Sequence, residues 1–370
     1  MGDRVSAVGE GTSLWDRKVR AGQRLIIGIA GPSVDDDLRR LVKEIRPAGF
    51  ILFQRNIESP EQVLELNREL ASLVDRAYPA LLSVDQEGGR VQRIREPAVV
   101  WPAMRDVGRA EEWTRDVSKA MARELRAMGF NLNFAPVADV DSNPDNPVIG
   151  DRSFSSDPVR AATQAVAFLE AHQQEGVMAC AKHFPGHGDT HLDSHLALPS
   201  VPVTQDRLDR VELVPFRACV GAGVASVMSA HVVFPELDPD HPATLSPVVI
   251  PRLLRQRMGF DGIVFSDDMD MKAVAGRWPV TRQVDLATRA SVDVFLACES
   301  VQLQLDLFRA LVQTQEQDSG HDQASKVSVR RLTAMRERFL LEPPPAPDLD
   351  VLADMDARVL AQRVRSRSAS

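Results

Sequence analysis

The sequence predicts an α/β fold, a single (β/α)8 TIM-type barrel with extra C-terminal helices, and two observations lead there. Eight short apolar runs rich in Val, Ile, Leu and Phe punctuate the chain, and segments of helical period lie between them. Runs of this length without strict alternation suit strands buried on both faces of a parallel sheet. Eight of them alternating with helices point to a barrel rather than an open sheet. A doubly wound open sheet is the alternative. It would want a glycine-rich phosphate turn after the first strand, and Gly28-Ile29-Ala30-Gly31-Pro32 is a poor one.

In chain order the runs are residues 25–31 (LIIGIAG), 50–56 (FILFQRN), 80–87 (ALLSVDQE), 132–140 (LNFAPVADV), 177–186 (VMACAKHFPG), 225–234 (ASVMSAHVVF), 262–269 (GIVFSDDM) and 292–299 (VDVFLACE). Helical pattern covers residues 35–44 and 60–75. In 109–128, Trp113, Val117, Ala120, Met121 and Leu125 recur near helical spacing and Gly129 is placed to stop them. Asp157-Pro158 opens the next helix with Pro at its first position, and the pattern runs to Glu175-Gly176. Residues 205–220, 247–257, 302–314 and 326–341 read likewise. The run Pro343-Pro344-Pro345-Ala346-Pro347 is a stiff break, 348–365 a last helix packed outside, and 366–370 a frayed tail. The expected organisation is an N-terminal arm or short helix over 1–21, a catalytic barrel over 22–300, and a C-terminal helical extension over 301–370 packed on the barrel.

Composition narrows the function. The 370 residues carry a formal charge of −8 with Lys and Arg scattered, which argues against nucleic-acid or anionic-membrane partners. Charged residues at 26% and hydrophobic residues at 44% exclude global disorder. Three separated cysteines are too few for a disulfide framework or a zinc cluster and read as core thiols of a reduced compartment. Residues 1–23 hold no apolar run or small-residue cleavage site, and no stretch reaches the ~18–20 apolar residues of a membrane span. The expectation is a cytoplasmic protein.

In a barrel, chemistry sits at the C-terminal ends of the strands. The polar residues gather there: Asp85 to Arg93, Gly150 to Ser153, Lys182 to His195, Ser229 to His231, and Ser266 to Met271. Five of the eight histidines (His183, His187, His191, His195, His231) fall at these ends. Four of them are spaced as on a helical metal ladder, but Pro185, Gly186 and Gly188 disfavour a helix. No metal or other cofactor is expected, with a loop-built metal site as the alternative. A second reading needs no metal. Asp193-Ser194-His195 places a carboxylate where it can orient an imidazole, and Asp267 sits on another strand at the mouth. An oxocarbenium-like centre needs one anion on its reactive face and one proton donor at the leaving oxygen. Asp268 is the competing neighbour, because adjacent strand residues point opposite ways. Arg90 reads as a structural ion-pair partner, His187 and Asp189 as shaping the loop, His231 as lining the pocket, and Gly88-Gly89 as a tight turn.

Three motifs sharpen this: K-H-F-P-G-H-G-D-T-x-x-D-S-H (Lys182 to His195), D-Q-E-G-G-R-V-x-R (Asp85 to Arg93) and F-S-D-D-x-x-M (Phe265 to Met271). Together they resemble the family 3 glycoside hydrolases, and more narrowly the bacterial β-N-acetylhexosaminidases of that family that act in cell-wall recycling. The resemblance runs from about Gly22 to Glu299, and its most specific part is the Gly-His-Gly-Asp-Thr…Asp-Ser-His loop. It implies a retaining, two-step mechanism with Asp267 as nucleophile, His195 as acid/base and Asp193 orienting His195. It implies sugar binding by Asp85, Arg93, Arg152, Lys182 and His183, with no metal and no cofactor. Many relatives outside this branch carry a second α/β domain that supplies the acid/base carboxylate. The residues after Glu299 read as helices, so the expectation is a histidine acid/base supplied by the barrel's own loop.

The expected function is therefore an exo-β-N-acetylglucosaminidase, its partner a saccharide ending in N-acetylglucosamine. Alternatives are a phosphorylase using the same residues and a non-catalytic carbohydrate-binding barrel. A metal-dependent amidohydrolase barrel usually opens with His-x-His on the first strand, and residues 25–31 contain no histidine.

Overall fold

A computed structural model describes residues 13–191, 198–340 and 347–368. Eight parallel strands close a barrel: β1 (Leu25–Gly28), β2 (Gly49–Leu52), β3 (Leu81–Val84), β4 (Leu132–Asn133), β5 (Met178–Phe184), β6 (Ser226–Ser229), β7 (Ile263–Asp268) and β8 (Val294–Ala297). The ring closes because β1 pairs on one side with β8, Leu25 opposite Phe295, and on the other with β2, Ile26 opposite Gly49. Each strand falls within its expected apolar run, except that β2 begins one residue earlier, at Gly49.

The strands are shorter than the runs. β4 keeps two residues, because Pro136 has no N–H for the ladder. The chain beyond it still follows β5: Lys182 N–H donates to the Pro136 carbonyl at 3.2 Å and Ala138 N–H to that of Lys182 at 2.7 Å. The end of the 225–234 run turns into a hairpin, Val233–Phe234 with Asp238–Pro242.

Helices surround the barrel: α1 (Leu14–Gly22), α2 (Asp36–Ile45), α3 (Pro60–Leu73), α4 (Thr114–Ala127), α5 (Pro158–Gln174), α6 (Leu213–Gly221), α7 (Val280–Arg289), α8 (Val301–Gln317), α9 (Ser319–Leu340) and α10 (Met355–Ser368). Local chemistry starts them. Ser13 and Asp16 form a reciprocal capping box on α1, and Asp35, Ser59, Asp157 and Ser300 accept first-turn amides of α2, α3, α5 and α8. The expected helix over 205–220 is two, Gln205–Arg210 and α6, because the Pro215 ring opposes the carbonyl four residues back, at Val211. Residues Val249–Arg257 wind with wider π-type turns, a period that two turns of sequence do not distinguish from an α-helix. The helix α7 is veiled in the pattern because Gln283 and Thr288 are buried beside Val284, Leu286 and Ala287.

Inside the barrel Ile26, Leu81, Leu132, Phe134, Met178, Ile263, Phe265 and Val294 make one apolar cluster, with Phe134 and Phe265 edge to face at 5.3 Å. Leu332 and Met335 of α9 join that cluster, so α9 plugs one end of the barrel. Arg336 on the same helix donates to the carbonyls of Pro79 (2.9 Å) and Ala48 (3.1 Å), which precede β3 and β2. The plug therefore sits at the N-terminal end, leaving the C-terminal end for the site.

Replacing Leu332 by Ala should lower unfolding free energy by about 2–5 kcal/mol, because the cavity opens beneath the strands. The same change at exposed Arg330 should cost less than about 0.5 kcal/mol. Urea unfolding of both variants checks this, and equal losses contradict the plug.

Candidate active site

A cavity of about 180 Å³ opens at the C-terminal ends of the strands. One wall is polar and comes from β3, the β4 loop and β5: Asp85, Glu87, Arg93, Arg152, Lys182, His183 and His187. The other is largely apolar and comes from β2, β6, β7 and β8: Ile51, Phe53, Met228, Met271, Leu296 and Cys298, with Asp267 and Asp268 among them. A cleft of about 400 Å³ between α4 and residues 351–360 lies outside the barrel and holds none of these groups.

The polar wall begins where β3 turns back on itself in a hairpin, Gln86–Gly88 with Val91–Gln92. Gly88 and Gly89 make the turn at φ 97° and 57°, and a Cβ on Gly88 would stand 2.6 Å from the Pro102 carbonyl oxygen. The Gln86 amide pins the returning chain, accepting from Arg93 N–H (2.9 Å) and Ile94 N–H (3.0 Å) and donating to the Ile94 carbonyl (3.0 Å).

Glu87, 1% exposed, is gripped from two sides. Arg152 donates in bidentate fashion, Nε to Oε2 at 2.8 Å and Nη2 to Oε1 at 2.9 Å, and Lys182 Nζ lies 2.6 Å from Oε1. Lys182 also donates to Asp85 Oδ1 at 2.8 Å, and Arg93 Nη2 lies 3.6 Å from Asp85 Oδ2. Signs thus alternate along Arg152, Glu87, Lys182, Asp85 and Arg93. Burial alone would raise the Glu87 carboxyl, but Arg152 and Lys182 outweigh it and hold the group well below the usual carboxylate range. Burial alone would lower Lys182, and Asp85 and Glu87 reverse that. Glu87, Lys182 and Arg152 therefore stay charged at neutral pH. Arg93 Nε, buried, has no hydrogen-bond partner among the described residues.

The second layer comes from the irregular chain after β4. Asp139 is fully buried, and its carboxylate accepts from His183 Nδ1 (2.8 Å), His183 N–H (3.2 Å) and His187 N–H (2.6 Å). His183 Nε2 lies 3.5 Å from Arg152 Nη2. The His187 ring meets His183 edge to face at 5.7 Å, and burial, with His183 adding to it, pushes His187 down to about 4. Asn146 knits the β4 and β5 loops. Its amide donates to the carbonyls of His187 and Gly188, both at 2.9 Å, and accepts from Val148 and Ile149 N–H, both at 2.8 Å. Any Cβ on Gly188 would collide with the Val140 carbonyl, so this approach requires glycine. Asn143 donates to the Thr190 carbonyl at 3.1 Å. Asp193 and His195 lie outside the described residues.

At the end of β7, Asp267 Oδ1 accepts the Asp268 N–H at 2.8 Å. The Asp268 carboxylate is committed to backbone, accepting from Asp270 N–H (3.1 Å) and Cys298 N–H (3.2 Å), and burial pushes it up to about 7, with Asp270 and Asp267 adding to the shift. Both aspartates reach the cavity, against the expectation of opposite faces. The β7–β8 register shifts between Phe265 and Asp268, and a bulge re-aims side chains. Below them His231 Nε2 donates to the Asp268 carbonyl at 3.1 Å, and its Nδ1 meets Thr244 Oγ1 at 2.9 Å.

Asp85, Arg93, Arg152, Lys182, His183 and Asp267 thus share one cavity. Arg90 stands behind it, 3.1 Å from Asp151 and donating to the carbonyls of Val148 (2.5 Å) and Ile149 (3.1 Å). Asp189 Oδ1 accepts from Ser142 Oγ at 3.4 Å. Glu87 and Asp139 are the groups that sequence reasoning misses. Glu87 stands inside the D-Q-E-G-G-R motif without a role assigned to it, and Asp139 lies within an apolar run. Among the described residues no group of three or more His, Cys, Asp or Glu is placed to hold a metal ion, and no helix is long and apolar enough to cross a membrane.

Residues 18–334 match the family described as "Glycosyl hydrolase family 3 N terminal domain". A β-hexosaminidase of Thiobacillus denitrificans is 41% identical over 287 residues, 75% of this chain and 79% of that one. Among solved structures, a family 3 β-N-acetylglucosaminidase from Paenibacillus sp. superposes with a TM-score of 0.88 at 36% identity, covering 95% of this chain and 68% of that one. NagZ from Neisseria gonorrhoeae, in complex with N-trifluoroacetyl-D-glucosamine, gives 0.75 at 29% identity over 93% of this chain and 98% of that one.

Replacing Glu87 by Gln removes the anion that two buried cations share, leaving Lys182 only Asp85, and should cost about 3–5 kcal/mol. The sign of the pH effect follows from the depressed carboxyl: its stabilisation is complete above about pH 4.3, the unfolded value, and is lost as pH falls below it. Unfolding free energy of the natural protein should therefore drop more steeply between about pH 4.5 and 3 than that of the Gln variant. Parallel slopes in stepped-pH urea titrations contradict this.

Proposed function

The chain belongs to glycoside hydrolase family 3, and we propose that it is a retaining exo-β-N-acetylglucosaminidase. In this reading it hydrolyses terminal β-linked N-acetylglucosamine from muropeptides or chitin-type saccharides through an aspartyl glycosyl-enzyme. The observation that carries the reading is one small cavity divided between a strand-end carboxylate, Asp267, and a fixed array of sugar-sized polar groups. A pyranose presents hydroxyls that both donate and accept. Asp85 supplies acceptors, and Arg93, Arg152 and Lys182 supply donors. The apolar residues flanking β7, Met228 and Leu296, suit the carbon-bound face of a sugar and the methyl of a 2-acetamido group beside C1.

In the proposed first step Asp267 attacks C1, the glycosidic bond breaks, and protonated His195 gives its proton to the leaving oxygen. Asp193 orients that ring and stabilises its charge. In the second step neutral His195 takes a proton from water, the water oxygen bonds to C1, and the ester to Asp267 breaks, with net retention. The roles of Asp193 and His195 rest on the Asp-Ser-His motif, supported by the anchoring of their loop to the β4 loop as far as Thr190. The mechanism calls on no metal or other cofactor. A cytoplasmic place in cell-wall recycling belongs to the same proposal and rests on the resemblance alone.

Asp267→Ala should lower turnover of an aryl β-N-acetylglucosaminide by about 10⁴-fold or more, and ordinary turnover would end the assignment. His195→Ala should impair saccharides with poor leaving groups far more than activated aryl glycosides, since the former need protonation. An aryl β-glucoside should be a poor substrate, and release of free sugar rather than sugar 1-phosphate in phosphate buffer separates hydrolysis from phosphorolysis.

A further inference from the structure

We infer that Asp139 is a positioning residue for substrate recognition: it fixes His183 as the neutral Nδ1–H tautomer, so that Nε2 faces the cavity as a hydrogen-bond acceptor for a sugar hydroxyl. The inference rests on the proposed glycosidase reading for its substrate, but the geometry behind it stands without that reading.

The Asp139 carboxylate is fully buried and surrounded by donors. Oδ1 accepts His187 N–H at 2.6 Å and lies 3.3 Å from His183 N; Oδ2 faces His183 N–H at 3.2 Å and Nδ1 at 2.8 Å. A carboxylate only accepts, so Nδ1 carries a hydrogen. The other ring nitrogen faces Arg152, whose Nη2 is 3.5 Å away and whose charge is fixed by Glu87. A guanidinium can only donate, so in this contact Nε2 accepts through its lone pair and carries no hydrogen. That lone pair matters because the other polar groups of this wall are unevenly divided. Arg93, Arg152 and Lys182 donate only, and Glu87 already accepts from Arg152 and Lys182. Asp85 and His183 Nε2 are then the acceptors a sugar meets. The backbone at Asp139 is held as firmly: Ser153 Oγ, next to Arg152, donates to its carbonyl at 2.6 Å.

Asp139→Asn is the informative change, because shape is kept and one acceptor becomes a donor. Either the new NH2 opposes His187 N–H, or it faces His183 Nδ1 and drives the ring to the Nε2–H tautomer, removing the acceptor. The second outcome is the expected one, since His187 N–H sits at the shortest of the four contacts. The loss of one hydroxyl acceptor at a buried site should lower kcat/KM for an aryl β-N-acetylglucosaminide by about 5- to 150-fold, with KM rising more than kcat falls.

The test pairs kinetics with nitrogen-15 NMR of the histidine rings, the His183 signal being identified by its absence in His183→Ala. In the natural protein at pH 7 it should report Nδ1–H; in Asp139→Asn it should report Nε2–H. Among 3-, 4- and 6-deoxy aryl substrates, the one that costs the natural enzyme most should cost the variant least. A merely structural Asp139 would lower Tm and leave kcat/KM per titrated active site and the tautomer unchanged, which overturns the inference. An Nε2–H or doubly protonated His183 in the natural protein overturns it too, whether or not the variant folds. If the natural protein releases no sugar from any aryl glycoside, the glycosidase reading fails, while the tautomer measurement still decides for or against Asp139.

Discussion

The site depends on one buried anion. Glu87 comes from the strand-three hairpin, Arg152 from the loop after strand four and Lys182 from strand five, and the carboxylate is what lets the two cations share a wall. Each of these ions loses water on burial, a cost met only when geometry and hydrogen bonding are complete. They are close to complete: a bidentate guanidinium on one side, an ammonium on the other, and Asp85 taking that ammonium's next hydrogen bond. With the inner charges satisfied by each other, the outer ones, Asp85 and Arg93, stand toward the opening. A site arranged this way is ordered before a ligand arrives, and groups already aimed need no reorganisation when charge develops.

Across the cavity the design is different. The end of strand seven is set by backbone contacts, with Asp268 holding amides of its own loop and of the strand-eight loop, and His231 bonded to the Asp268 carbonyl from strand six. The bulge in this strand presents Asp267 to a mostly apolar wall. Stability and function divide along the barrel axis: helix α9 and its buried Arg336 seal the N-terminal end, and the loops at the other end carry the charges.

Much of this is legible in the chain itself. Strands buried on both faces leave continuous apolar runs, so eight runs locate eight strands, and polar residues just past them mark the open end. Asp85, Arg93, Arg152, Lys182, His183 and Asp267 are found that way and by motif. The roles of Glu87 and Asp139 are not, for a physical reason. Their partners lie 65 and 44 positions away in the chain, and only closure of the barrel brings them together. Spacing along a sequence reports neighbours on one element and is silent about pairs across strands. The same limit hides the bulge that turns both Asp267 and Asp268 inward. Strand four also ends earlier than its apolar run, which continues to Val140 past Pro136.

The central claim is that Asp267, and not its neighbour, forms the bond to the sugar. The direct measurement is to treat the protein with a 5-fluoro N-acetylglucosaminyl fluoride, whose second step is slow, and to map the adduct by mass spectrometry. The account predicts one sugar per chain, attached to Asp267. Attachment at Asp268, or turnover with inversion at C1 and no adduct, would contradict it.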